Sequence, residues 1–128
     1  MKSRDNMLRL KHFKVEDRTR QLTQIDLMIG EFSRMAAELD NQIKLEEQKS
    51  GITDSSHFAY PTFAKAARQR RDNLTGSIRE LQVKRESAVE ALTEADEELR
   101  KAQLLESRDS GGSDPVVDQQ VERRAMIG

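Results

Sequence analysis

From residue 8 to residue 43 the apolar side chains step by three and four, the spacing that gathers them into one stripe of an α-helix. Leu8, Val15, Leu22, Ile29, Ala36 and Ile43 share one heptad position, a, and Lys11, Arg18, Ile25, Phe32, Leu39 and Glu46 share position d. The register holds without a slip over five heptads. Ser3 is a predicted N-cap and Gly51 a predicted C′ residue. A helix over about 4–49 is roughly 70 Å long at about 1.5 Å per residue.

A second register opens after the break SGITDSSHFAYP. Position d now holds Tyr60, Ala67, Leu74, Leu81, Ala88, Ala95 and Ala102; position a holds Ala64, Arg71, Ile78, Arg85, Leu92, Leu99 and Glu106. Pro61 suits the first turn of this helix, where a missing N–H is no loss. The sequence therefore predicts an all-α fold, an antiparallel two-helix coiled coil over residues 1–107. Its helices cover about 4–49 and 61–107 and are joined by a loop over about 50–60. Residues 108–128, with the loop-forming string SRDSGGSDP, read as a flexible tail, with a short helix at about 115–126 as the alternative.

Charge supports folding back over an extended rod. Residues 1–20 are net +4, 21–50 net −3, 51–85 net +4 and 86–109 net −5, so a hairpin sets opposite signs side by side at both ends. Size supports it too. If facing residue numbers total about 110, Leu8 meets Ala102, Val15 meets Ala95, Leu22 meets Ala88, Ile43 meets Ala67, and Ala36 meets Leu74. Large against small lets two backbones approach without voids. The polar seam positions avoid one another: Lys11 faces Leu99, Arg18 faces Leu92, Arg85 faces Ile25 and Arg71 faces Leu39. Such side chains can lay their stems on the seam and keep their charge in water.

The predicted core is Leu8, Val15, Leu22, Ile25, Ile29, Phe32, Leu39, Ile43, Ala67, Leu74, Ile78, Leu81, Ala88, Leu92, Ala95, Leu99 and Ala102. Each layer is worth about 1–2 kcal/mol, set against about 1–2 kcal/mol of ordering entropy per residue, so such a hairpin is marginally stable. Gly30 and Gly76 fall on solvent faces at nearly one level. They read either as tolerated drift or as a flexible or close-approach point.

Composition narrows the class further. The chain has 128 residues, 35% of them charged and 4% aromatic, with a net charge of −1 and no Cys. A thick core, a disulfide scaffold and a thiolate metal site are thereby excluded. No apolar run is long enough to span a membrane, and MKSRDNMLRLKHFK lacks the apolar run of a signal peptide, so a cytoplasmic setting is expected. Phosphate-binding loops, dinucleotide fingerprints, zinc-protease motifs and nucleophile elbows are all absent from the sequence. His12 and His57 are read as surface residues at opposite ends, and acidic runs such as Asp96-Glu97-Glu98 as solvated helix faces. No catalytic, metal or cofactor residues are assigned, and the chain is not read as an enzyme. Arg68 and Arg70, with Lys65 and Arg71 beside them, could touch phosphates. The favoured reading is that this cluster neutralises the acidic end of the first helix, since no aromatics flank it for stacking.

The opening MKSRDNMLRLKHFKVED and the string GITDSSHFAYPTFAKAARQRRDNL resemble the alphaproteobacterial branch of the flagellar export protein FliJ family. The likeness covers about residues 1–106 and rests on the opening and the loop. The resemblance implies a cytoplasmic component, peripheral to the membrane, of the flagellar type III export apparatus, shaped like the central stalk of rotary ATPases. The partners it implies are the hexameric export ATPase, the cytoplasmic domain of the export gate, and export chaperones. No binding motif is distinct enough to carry over residue by residue.

Large apolar residues outside the seam are Leu10, Phe13, Leu27, Met28, Leu45, Val83 and Val89. Leu10 and Phe13, with Lys11 and Lys14 around them, read either as a partner contact or as flanking residues that widen the core. Two other functions stay open: a free-standing coiled-coil chaperone or adaptor, and a hairpin that binds nucleic acid through its basic cluster.

Overall fold

A computed structural model describes residues 2–109 of the chain, as two helices: α1, Lys2–Ser50, and α2, Thr62–Asp109. No strand occurs among the described residues. The predicted short helix at about 115–126 lies outside them. The two helices pack against each other, as the all-α hairpin reading expects. The described residues form two compact halves, residues 21–89 and the half formed by 2–20 with 90–109.

In the half formed by 21–89, Asp26 Oδ1 lies 2.6 Å from Arg85 Nε and Asp40 Oδ1 lies 2.9 Å from Arg71 Nη1. Both pairs of residue numbers total 111, within one of the register drawn from the sequence. The other half is antiparallel as well, with Lys11 against Glu98 at 3.1 Å and Arg4 against Asp109 at 2.8 Å. That last bridge ties the first turn of α1 to the last turn of α2. Helix runs through Lys2 and Asp109, beyond the predicted limits of 4 and 107. Ser3 consequently lies inside α1 and does not cap it.

The loop end follows the sequence closely. Gly51 has φ of +72° and its N–H donates to the Glu47 carbonyl at 2.9 Å. This is the left-handed C′ cap that glycine adopts without strain. The Pro61 carbonyl accepts the Lys65 N–H at 3.0 Å, so the proline sits at the N-cap of α2, one position before its first turn. Between them, Asp54 accepts the Ser56 N–H at 3.0 Å and the Ser56 hydroxyl at 2.7 Å. The N–H groups of His57 and Tyr60 donate to the Asp54 and His57 carbonyls at 3.1 and 3.0 Å.

All 17 predicted core residues are buried or half-buried. The deepest side chains are small: Ala64 is 0% exposed, Ala95 1% and Ala67 3%. Among the described residues no large side chain is wholly enclosed, because two helices cover a seam residue from two sides only. Gly30 and Gly76 have nothing within 4 Å of where a Cβ would stand, so neither serves a close approach. Gly30→Ala and Gly76→Ala are each expected to raise unfolding free energy by about 0.5–1 kcal/mol, read as higher urea midpoints. Gly51→Ala, at positive φ, is expected to lower it.

Candidate interaction surfaces

Heptad geometry places the e positions, one after each d, along one flank of the seam and the g positions along the other. In the half formed by residues 21–89 the two flanks differ. On the e flank, Asp26 and Asp40 hold Arg85 and Arg71. Glu47 lies 3.7 Å from Arg68 Nη1 and also accepts the Tyr60 hydroxyl at 3.2 Å. Arg85 and Arg71 are the two arginines whose a positions interrupt the α2 seam. Each is answered by the aspartate next to the apolar residue it faces, Asp26 beside Ile25 and Asp40 beside Leu39. The Arg71 guanidinium is held above its usual pKa, chiefly by its hydrogen bond to Asp40 and then by that to Asp72. The expectation that the basic cluster neutralises the acidic end of α1 therefore matches Arg68 and Arg71.

On the g flank of this half, no ion pair joins the two helices among the described residues. An open groove of about 450 Å³ lies there. Phe32, Met35, Leu39 and Leu74 give it an apolar floor, while Glu38 and Gln42 line it from α1 and Arg70, Asn73 and Ser77 from α2. Met35 and Met28, seven residues apart at g positions, are each 43% exposed. Arg70 thus faces a groove, whereas Arg68 is engaged with Glu47; the sequence placed both in one cluster.

Leu10 and Phe13 stand in the other half and are 68% and 61% exposed, which removes the core-widening alternative. The Arg20 guanidinium carbon lies 5.8 Å from the Phe13 ring centroid, close enough for a cation–π contact. Next to them Glu98 Oε2 accepts from Lys11 Nζ at 3.1 Å and Lys14 Nζ at 3.3 Å. Those hydrogen bonds, with the lysine charges, hold the Glu98 carboxyl below its ordinary pKa.

At the loop, Phe58 is 97% exposed and its ring stacks on His57 at 4.8 Å. The Ala59 N–H donates to His57 Nδ1 at 3.0 Å. Nothing in the hydrophobic periodicity singles out this aromatic, which belongs to neither register.

Among the described residues no three His, Asp or Glu side chains are grouped to hold a metal ion, and no helix is long and apolar enough to cross a membrane. Comparison with protein-family models, with curated proteins and with solved structures finds no match to the chain.

The Glu98 contacts carry a pH signature. Because the folded carboxyl is depressed below its ordinary value of 4.5, its contribution is present above that pH and lost as pH falls through the lower folded value. Glu98→Gln is expected to lower the denaturation midpoint slightly at pH 7, and the difference from the wild type is expected to shrink as the pH is taken down below 4.5. Urea titrations at a series of pH values from 7 downward read the difference.

Proposed function

We propose that the chain is a coiled-coil stalk of the flagellar type III protein export apparatus. In this reading it binds the hexameric export ATPase, promotes ring assembly and hydrolysis, and links the ring to the export gate and to substrate chaperones. The observation that carries the reading is the fold: two helices of nearly fifty residues, Lys2–Ser50 and Thr62–Asp109, packed antiparallel on a seam that takes up most of the aliphatic side chains. The resemblance of the opening and of the loop supplies the system.

The chemistry suits such a role. A stalk that sits or turns within a ring needs a polar surface with few adhesive patches, since a large apolar patch would bind it in one orientation. Outside the seam the large apolar residues are scattered, and charged side chains of both signs lie between them. Leu10 and Phe13 are the proposed anchors for the ring or the gate, as exposed apolar side chains set among Lys11, Lys14 and Arg20. On this reading the protein is a cytoplasmic, non-enzymatic component without a cofactor.

Mixing the purified chain with the export ATPase encoded by the same genome tests the proposal. Stimulation of ATP hydrolysis and ring assembly at about one chain per hexamer is expected, reduced at least severalfold by Phe13→Ala. Absence of both binding and stimulation overturns it.

A further inference from the structure

We propose that the groove on the g flank of the 21–89 half is a self-association surface, through which two copies of this chain pair about a two-fold axis running along the helices. This goes beyond the stalk reading and does not depend on it.

The inference starts from the unequal flanks. Ion pairs close the e flank, whereas the g flank keeps an apolar floor at Phe32, Met35 and Leu74 open to solvent. Methionine is the side chain best able to mould itself to an incoming surface. The rims of the groove bear opposite charges. Glu38 stands on the α1 side and Arg70 on the α2 side. Both are exposed, and neither has an ion-pair partner among the described residues. Beyond the groove the edges are mixed, since Glu80 stands on the α2 side at the level of Glu31, so the opposed pair is Glu38 and Arg70.

A groove with Glu38 on one rim and Arg70 on the other is complementary to itself, as a two-fold contact requires. Two face-to-face arrangements are available, and charge chooses between them. An axis across the helices sets α1 on α1 and α2 on α2, placing like charges together. An axis along the helices sets α1 of each copy over α2 of the other. It brings Glu38 to Arg70 twice, because the two residues stand at nearly the same level: their numbers total 108, against 111 for the bonded pairs on the other flank. The same rotation lays the methionines over the partner's groove, giving the packing of a four-helix bundle.

Equilibrium sedimentation of the full chain at low ionic strength, from about 1 µM to about 500 µM, reads the association directly. The expected result is a monomer–dimer equilibrium that weakens with salt. Glu38→Arg and Arg70→Glu should each raise the dissociation constant roughly tenfold or more, and the double exchange E38R/R70E should recover most of the loss. Both residues are exposed, so helicity by circular dichroism should stay at the wild-type level. If either reversal lowers it, Met35→Ala reads the same surface without a change of charge. A monomer throughout the range overturns the proposal. So does a dimer indifferent to all four variants, or an open-ended series of larger species.

Discussion

Close approach of two helices at alanine layers is the constraint on which this structure depends. Ala64, Ala67 and Ala95 are nearly or wholly sealed from solvent; of the larger seam residues Ile43, Tyr60 and Leu81 are buried, while Leu8, Leu22, Leu39, Leu74, Leu92 and Leu99 remain half-buried. A pair of helices has no third element to cover a large side chain, so the deepest burial goes to residues small enough to lie between the backbones. This sets the register as well. Displacing one helix along the other would bring large residues together where the alanines now give room, and would leave gaps opposite the small ones.

Charge then decides what the seam leaves open. Two arginines interrupt the α2 side of the seam at Arg71 and Arg85, and each is met by an aspartate from the flanking e position of α1. Exposed pairs of this kind contribute little energy individually, about 0–1 kcal/mol. Their larger effect is to fix alignment and partner choice. Because they all lie on one flank of the 21–89 half, the other flank is left with its apolar floor uncovered. The 21–89 half therefore carries one ionic flank and one flank with an exposed apolar floor. The stalk proposal draws on the first property and the pairing proposal on the second.

Much of this was legible in the sequence. The three-and-four spacing from Leu8 to Ile43 and the apolar d positions from Tyr60 to Ala102 are strong periodic signals, and the alternation of charge chose the hairpin over a rod. Gly51 as the cap followed from its place after the last periodic turn. The aspartate partners of Arg71 and Arg85 were within reach of the same logic, since each sits one residue after the apolar side chain that the arginine faces. Other features were not legible. The Arg4–Asp109 bridge joins residues more than a hundred positions apart, and no local pattern announces it. The display of Phe58 depends on loop hydrogen bonds that leave no period. The groove depends on which of several neighbouring charges reaches across the seam, and Arg68 and Arg70 look alike until one meets Glu47 and the other does not.

The register at the alanine layers is the central claim, and a disulfide tests it most directly. With Leu22→Cys and Ala88→Cys introduced together into a chain that has no other cysteine, mild oxidation at low protein concentration should give a monomeric, intramolecularly linked product in high yield. The two positions face each other in this register, and a disulfide tolerates Cα separations of only about 4.4–6.8 Å. Failure to crosslink, or linkage only between chains, would contradict the register and the seam that sets it.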